Sequence, residues 1–391
     1  MAWSHRQRVL AALNHQEPDR VPIDLGSTRN TGILLEPYEA LASYLGEADP
    51  SLSRDDFGQS KIARVANPSE AVLRRLDIDF RGLYLGSADR PLEKMLPDGS
   101  HQDELGVVRR RPESSYYFDI VYSPFDREMS VADLKQWAWP DPTDPGYTRG
   151  LRDKALALRR DTDCTVVLHL QDIIVHPSQY LLGFERWYKT FIKQPDLMEA
   201  LLDILTEIRT ALAVAALEQV GDLVDVVSSS DDVADQRGSM ISPRMYRKFI
   251  KPRHRAYFDA IRAHTSATIL YHSCGSVVGL IPDFIDLGVD FINPVQVSAA
   301  GMDTASLKRE YGQQIGFWGA VDTMRVLPFG TPDDVRAEVQ QRVRDLAPGG
   351  GFVLAAVHNL QPNVSPENIV AMFAAARELG TYPIALTELE H

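Results

Sequence analysis

The sequence is poor in cysteine, with only Cys164 and Cys274 among its 391 residues. A disulfide-stabilised scaffold needs several cysteine pairs, so that class of protein is excluded and a reducing environment is predicted. Long apolar runs are also missing, and no stretch reaches the roughly 18 apolar residues that a membrane-spanning helix needs. The amino terminus is polar and holds no apolar signal segment. We therefore predict a cytoplasmic protein with no membrane partner.

Blocks of like charge are absent as well. The formal net charge is −13 and the isoelectric point is about 5.3. Clustered positive charge is what holds nucleic acids, so this pattern argues against a nucleic-acid partner. The hydrophobic content of 44% supports a large buried core. The length fits a (β/α)₈ barrel with insertions.

Short apolar strands alternate with amphipathic helices along most of the chain. We predict eight strands, at residues 21–26, 82–85, 165–170, 223–228, 268–271, 289–292, 315–318 and 352–355. Three helices have Ser-Pro or Thr-Pro starts, at Ser242, Thr331 and Ser365. Residues 46–70 are polar and are predicted to be irregular. Eight strands alternating with helices favour a closed parallel barrel over an open sheet, and no glycine-rich dinucleotide-binding motif follows a strand.

The predicted fold class is therefore α/β, a distorted (β/α)₈ TIM-type barrel that forms a single domain over residues 1–391. A short helix at residues 4–13 would be an N-terminal extension. Residues 99–125 break the alternation and are rich in turns and β-formers. We predict that they form a β-ribbon, within an insertion at about residues 99–145.

Polar residues follow seven of the eight predicted strands. In barrels of this type, the chemistry lies at the carboxyl ends of the strands. For any one residue, capping a helix or bridging a loop is an equal alternative. In strand order, the polar residues at these ends are Asp24; His169 and Gln171; Asp231, Asp232, Asp235 and Gln236; His272 and Cys274; Asn293 and Gln296; Trp318 and Asp322; His358, Asn359 and Gln361.

His272, Cys274 and His358 are the sharpest of these signals. Positions i and i+2 of a strand share a face, so His272 and Cys274 would point into the same space. His358 follows the last strand, which ends at the same barrel mouth. Two imidazoles and one thiolate match a catalytic zinc with three protein ligands and one open position. The alternative is that Cys274 is a small buried residue and both histidines are hydrogen-bonded core residues.

A family resemblance is carried by five stretches, which read RQRVLAALNHQEPDRVPIDLG, SPRMYRKFIKPRHRAYFDAI, YHSCGSVVGLIPDFIDLGVDFINPVQ, FWGAVDT and VHNLQPNVSPENIV. Along nearly its whole length, the chain resembles the uroporphyrinogen decarboxylase superfamily, and in particular its methyltransferase-like branch. The resemblance implies a distorted (β/α)₈ barrel. It also implies one of two activities: decarboxylation of uroporphyrinogen without a cofactor, or methyl transfer between corrinoid proteins and thiols or other acceptors. The second activity uses zinc held by a His-x-Cys pair and one further residue.

Two features place the chain between these activities. The decarboxylases carry an MRQAGRY stretch after the first strand, whose arginines hold substrate carboxylates. Residues 26–32 here read GSTRNTG, so Arg29 is the one arginine left. The third zinc ligand of the methyltransferases is commonly a cysteine near the last strand. His358 lies there instead and fits both activities, so Cys274 is the residue that favours the metal.

The resemblance therefore implies a zinc-dependent methyltransferase, with His272, Cys274 and His358 as metal ligands and a small molecule as methyl donor or acceptor. The corrinoid (cobalamin) would be carried by a separate partner protein. Asp24 or Asp232 is predicted to act in catalysis as proton donor. Substrate-binding roles are predicted for Arg29, Gln171, Asp231, Gln236, Tyr271, Asn293, Gln296, Trp318, Asp322, Asn359 and Gln361.

Two alternatives stay open at this point. One is a metal-free carboxy-lyase resembling uroporphyrinogen decarboxylase, with Asp24 as the charge-stabilising group. The other is a non-catalytic protein that binds a tetrapyrrole or a small aromatic molecule. Dimers occur in the family that the chain resembles, so the resemblance also implies a homodimer.

Overall fold

The computed structural model describes residues 3–48 and 64–385. Positions 49–63, within the stretch predicted to be irregular, lie outside the described residues. The strands are β1 (Phe80–Tyr84), β2 (Lys94–Met95), β3 (His101–Gln102), β4 (Val108–Arg110), β5 (Asp119–Tyr122), β6 (Thr165–Asp172), β7 (Val226–Ser230), β8 (Thr268–His272), β9 (Phe291–Asn293), β10 (Gly316–Val321) and β11 (Phe352–Ala356).

The α-helices are α1 (His5–Leu13), α2 (Leu35–Leu45), α3 (Glu70–Arg75), α4 (Val131–Gln136), α5 (Leu151–Asp161), α6 (Val175–Leu182), α7 (Phe184–Lys193), α8 (Pro195–Val220), α9 (Pro243–Met245), α10 (Lys251–His264), α11 (Ile281–Asp286), α12 (Thr304–Tyr311), α13 (Val326–Phe329), α14 (Pro332–Leu346) and α15 (Pro366–Leu379). Ser242, Thr331 and Ser365 cap α9, α14 and α15, and each accepts the N–H of the third residue of its helix. The three predicted helix starts are thus confirmed. None of the helices in the described ranges has the length and apolar character to cross a lipid bilayer.

The predicted barrel is confirmed, with seven parallel strands in the order β1-β6-β7-β8-β9-β10-β11. The backbone around Ile23 closes the gap between β11 and β1. On one side the Asp24 N–H donates to Leu354 O (3.0 Å) and the Leu354 N–H donates to Pro22 O (2.9 Å). On the other side the Asp79 N–H donates to Ile23 O (3.1 Å).

Several predicted element boundaries are wrong, and three of the differences have a local cause. The expected first strand, 21–26, is reduced to a single bridge, because Pro22 has no N–H to donate to a sheet. The expected fourth strand, 223–228, is found at Val226–Ser230, because Leu223 still belongs to a turn that continues α8. The helix expected at residues 179–193 is divided into α6 and α7 at Gly183, whose φ is +74°.

Along several strands, the barrel interior changes from apolar to polar over two residues. Ten side chains form an apolar interior cluster: Val9, Leu13, Phe80, Val167, Val226, Leu270, Phe291, Trp318, Val353 and Ala355. Two positions further along their strands, Val167, Leu270 and Phe291 are followed by His169, His272 and Asn293. Because residues two apart share a face, the apolar layer supports a polar layer at the carboxyl end.

The amino end of the barrel is closed by α1. Its Val9 and Leu13 belong to the interior cluster. The Arg6 N–H donates to Asp163 O (2.8 Å), and the Gly351 N–H donates to Ala12 O (2.9 Å), so α1 is tied to the starts of β6 and β11.

The predicted insertion contains a four-stranded antiparallel sheet in the order β2-β3-β4-β5. The ribbon begins earlier than expected, at Lys94, and Trp137 packs edge-on against Phe125 at 4.9 Å beneath it. Arg109 and Tyr117 of this insertion line the same cavity as His358. The insertion therefore lies over the carboxyl end of the barrel, where the predicted site is.

Candidate active site

His272, Cys274 and His358 come together at the carboxyl end of the barrel, and we call them the metal trio. One ligand atom from each residue lies within 4.8 Å of those of the other two. Cys274 Sγ is 3.5 Å from His272 Nε2, and the two imidazole rings meet edge to face at 5.6 Å. Gly275 turns the chain after Cys274 with φ +92°, where a Cβ would lie 2.5 Å from Asp235 O. Only glycine fits that turn.

Three side chains fix the metal trio by hydrogen bonds to His272 and to the backbone at Cys274 and Gly275. Asn293 Oδ1 lies 2.6 Å from His272 Nδ1, so it fixes the ring with Nε2 towards Cys274. Asp232 accepts the Cys274 N–H at 2.7 Å, and Gln296 accepts the Gly275 N–H at 2.6 Å. The sequence predicted catalysis or substrate binding for Asp232, Asn293 and Gln296, and the structure places all three as supports of the trio.

The two imidazoles of the trio are in the form that binds a metal cation. Burial lowers the pKa of His272, and burial together with His272 lowers the pKa of His358 to about 4. Both rings are therefore neutral at neutral pH, the form in which imidazole binds metals. Burial, with the neighbouring Asp232, raises the pKa of Cys274. One soft sulfur and two nitrogens in this arrangement fit zinc, with a fourth position left for a substrate.

A second cluster, which the sequence did not reveal, adjoins the trio. His176 lies between two carboxylates, with Nε2 3.5 Å from Asp232 Oδ2 and Nδ1 3.8 Å from Asp172 Oδ2. Its ring stacks on Tyr180 at 5.4 Å. Burial alone would lower the pKa of His176, but Tyr180 and the two carboxylates outweigh it, so the pKa is raised.

The sequence prediction missed this cluster because it made the third predicted strand, which corresponds to β6, too short. The prediction ended that strand at Leu170, whereas β6 continues to Asp172. Asp172 is therefore the last strand residue at the barrel mouth, and His176, four positions later, is in the first turn of α6.

One member of the trio, His358, lines a cavity of about 1010 Å³. Its lining includes the predicted residues Arg29, His169, Gln171, His358 and Asn359, together with Arg209 and Tyr117, which sequence reasoning missed. This volume suits a small-molecule substrate.

Two predicted substrate residues position groups that line the cavity. Asn359 accepts the Gly32 N–H at 2.9 Å and so fixes the loop that carries Arg29. Gln361 donates to the Tyr117 hydroxyl at 3.0 Å, joining the barrel to the insertion above it. The sequence pattern gave no sign that Tyr117 would reach the site, because this contact spans distant parts of the chain.

Asp24 does not line this cavity. It is 1% exposed and accepts hydrogen bonds from the Ser27 N–H (3.1 Å), the Ser27 hydroxyl (2.8 Å) and the Trp318 indole N–H (3.0 Å). Burial raises the pKa of Asp24 to about 6. Asp24 thus holds the loop that leads to Arg29, and Trp318 fills the barrel interior beneath the site.

Four other predicted substrate residues face away from the cavity. Asp231 caps α6, where its carboxylate accepts the Ile174 and Val175 N–H groups at 2.8 Å. The Tyr271 hydroxyl lies on the helix side of the sheet and donates to the Asp231 carbonyl at 2.9 Å. Asp322 accepts two backbone N–H groups just before α13. Gln236 is exposed, and its carbonyl accepts the Ala300 N–H.

Comparison with known proteins identifies the family. A sequence model described as uroporphyrinogen decarboxylase (URO-D) matches residues 178–379, just over half of the chain. The chain belongs to the uroporphyrinogen decarboxylase family, among the enzymes of its methyltransferase-like branch.

Relatives of both activities cover almost the whole chain. A methylcobamide:CoM methyltransferase from Methanosarcina barkeri is 25% identical over 373 residues, which are 95% of this chain and 97% of that protein. A uroporphyrinogen decarboxylase from Pseudoalteromonas translucida is 24% identical and covers 97% of this chain and 98% of its own. The solved structure of a methyltransferase from Methanosarcina mazei superposes with a TM-score of 0.66 at 21% identity, covering 96% of this chain and 99% of that one. That structure supports the fold.

Proposed function

We propose that this enzyme is a zinc-dependent methyltransferase that moves a methyl group between a small molecule and a corrinoid on a separate partner protein. The observation that carries the proposal is the metal trio, with its ligand atoms within 4.8 Å of one another beside an open cavity. The Methanosarcina barkeri relative, named for transfer between a methylcobamide and CoM, supports the corrinoid as methyl carrier.

The trio would hold the zinc ion. Zinc, when bound, supplies a Lewis acid that activates a thiol sulfur or a methyl-ether oxygen at neutral pH. Asn293 keeps the lone pair of His272 Nε2 directed at the site, because Oδ1 accepts the hydrogen of Nδ1. Arg109 and Tyr117 of the insertion form part of the cavity wall.

The predicted proton-donor role of Asp232 does not fit its surroundings. Burial opposes its charged form, but His176 outweighs burial and lowers the pKa of Asp232 to about 2. Asp232 is therefore ionised at neutral pH, and it serves as hydrogen-bond acceptor for the Cys274 backbone. The proton in this cluster stays on His176, between Asp232 and Asp172.

The geometry gives less support to a metal-free carboxy-lyase. That alternative depends on Asp24 as the group that stabilises charge on the substrate. The Asp24 carboxylate is buried under the loop and already accepts three hydrogen bonds. A substrate in the cavity would not contact it.

Metal analysis of the purified protein tests the proposal. We expect about one zinc per chain, a loss of zinc and of methyl transfer in Cys274→Ala, and unchanged zinc in Cys164→Ala. Cys164 is the matched control, because it is buried directly before β6 at the far end of the barrel. Methyl transfer is followed by the absorbance of free methylcobalamin with a thiol acceptor. Full zinc occupancy in Cys274→Ala, or no zinc in the wild type, would contradict the ligand assignment.

The homodimer implied by the family resemblance stays a prediction. Sedimentation velocity of the purified chain checks it.

A further inference from the structure

Two arginines at the cavity each have a buried Nε–H group without a hydrogen-bond partner among the described residues. Arg29 Nε and Arg209 Nε are both buried, and neither has a partner within residues 3–48 and 64–385. A buried charged donor left without an acceptor is costly, and native proteins keep few of them. These two donors therefore call for an acceptor that the chain itself does not supply.

The loop that carries Arg29 is held at both ends. It is fixed at one end by the bonds from Ser27 to Asp24 and at the other by the bond from Gly32 to Asn359. Burial, followed by the charge of Arg209, opposes the charged form and lowers the pKa of Arg29, while Asp172 and Glu104 act in the opposite direction. A guanidinium nevertheless stays charged at neutral pH, so the fixed loop presents a cation at the cavity.

Arg209 comes from the middle of α8, at a position that faces the core. Its Nη1 donates to Gln171 and to Glu104 (3.3 Å), which also accepts the Tyr147 hydroxyl at 2.7 Å. These bonds fix one arm of the guanidinium and leave its Nε free.

The carboxylates near this pair are already engaged. Asp172 accepts the Ser230 hydroxyl and faces the protonated ring of His176. Glu104 is bonded to Arg209 and Tyr147. Neither carboxylate bonds to Arg29, so an anion is still needed there.

The same cavity joins the two arginines to one member of the metal trio, His358. Arg29, Arg209, His169 and His358 all line it. Burial and the nearby Arg29 lower the pKa of His169 to about 3, so this ring is a neutral spacer between the arginines and the trio.

We propose that Arg29 and Arg209 form a carboxylate-binding recess, and that the small-molecule substrate is a methylated organic acid. Its carboxylate binds between the two arginines, while its methyl-bearing end lies at the metal trio. This inference rests on the proposed function and names the substrate class. Guanidinium groups suit a carboxylate because their planar fork matches two carboxylate oxygens.

Calorimetric titration of the zinc-loaded full chain tests the recess. The probes are benzoate and 4-methoxybenzoate, with benzamide and 4-methoxybenzamide as neutral counterparts of the same shape. We expect each acid to bind about tenfold or more tightly than its amide. Arg29→Gln and Arg209→Gln should each weaken acid binding by about tenfold to a hundredfold and leave amide binding unchanged.

Arg152→Gln is the charge-matched control, because Arg152 is exposed and pairs with Asp222 on the outside of the barrel. Arg29→Gln breaks no hydrogen bond within the described residues, so its result stands even if Arg209→Gln folds poorly. Arg209→Lys keeps the charge but loses the fork, and we expect an intermediate affinity.

Equal binding of acid and amide, acid binding that survives loss of Arg29, or no binding of any acid would each overturn the recess. Zinc analysis of the same samples separates this failure from failure of the proposed function. Arginine-dependent acid binding by a chain without zinc would keep the recess and refute the metal assignment. Bound zinc without discrimination between acid and amide would keep the metal assignment and refute the recess.

Discussion

The two ends of the barrel handle buried charge in opposite ways. At the amino end, Asp79 is fully buried and contacts three cationic side chains, those of His5 (2.8 Å), Arg8 (2.8 Å) and Arg20 (2.7 Å). It also accepts the Ile23 N–H at 2.8 Å. At the carboxyl end, buried Nε–H groups of two arginines have no partner in the described ranges.

This difference separates a structural site from a functional one. A buried charge whose partners all come from the chain contributes to stability and leaves nothing for a ligand. A cluster with spare hydrogen-bond donors is complete only when something binds. We therefore expect changes at the amino end to alter folding, and changes at the carboxyl end to alter binding.

Removing the central carboxylate of the amino end should have the largest effect. Asp79→Ala leaves two buried arginines without their shared anion, and we expect it to lower the free energy of unfolding by about 3–5 kcal/mol. The control, Asp77→Asn, removes the charge of a carboxylate that is 44% exposed and pairs with Arg20 from the rim, and it keeps a residue type that tolerates the φ of +62° found there. It should cost less than about 1 kcal/mol. Urea unfolding measures both, and equal stability of the two variants would erase the contrast between the ends.

A change behind the trio should act on the metal more than on the fold. Asn293→Ala removes the acceptor that orients His272, and we expect zinc affinity to fall by about tenfold to a hundredfold. Asn368→Ala is the matched control, because Asn368 is also buried and bonds to two carbonyls, those of Leu327 and Gly330, away from the site. It should lose stability and keep its zinc affinity. Competition with a chromophoric chelator measures the affinity, and a normal value in Asn293→Ala would show that the ring needs no such support.

The smallest effect is a pH dependence at the amino end. The hydrogen bond to Asp79 is the main cause that raises the pKa of His5 above its ordinary 6.5. Protonated His5 thus contributes stability below pH 6.5, and that contribution is lost as the pH rises through the raised value. We expect a loss under about 1 kcal/mol, since His5 is partly exposed. His5→Gln should flatten the curve of unfolding free energy against pH in this window, and an unchanged curve would assign the titration to another group.

Sequence patterns were sufficient for the fold and for the trio. Alternation along β8 places His272 and Cys274 on one face, and a parallel barrel brings His358 to the same mouth; both inferences need only local geometry and topology. The first strand failed as an extended element because Pro22 cannot donate to the sheet.

The roles of the remaining polar residues depended on tertiary contacts. Asp231 and Asp232 are adjacent, yet Asp231 caps α6 and Asp232 accepts the Cys274 N–H. Their spacing in the sequence alone does not distinguish these two roles. Arg209 carried a signal that could have been read, because it lies among core-facing leucines and alanines of α8. A charged residue at such a position needs a buried partner or a ligand.

The helix that fills the amino end has a consequence for kinetics. With α1 in the barrel, both reactants of the proposed transfer share one entrance at the mouth beside the insertion. A corrinoid protein seated over that entrance would hold the small acid inside until the protein departs. The small acid and the corrinoid protein would then have to enter and leave the mouth in turn. A large excess of the corrinoid protein would therefore slow the reaction.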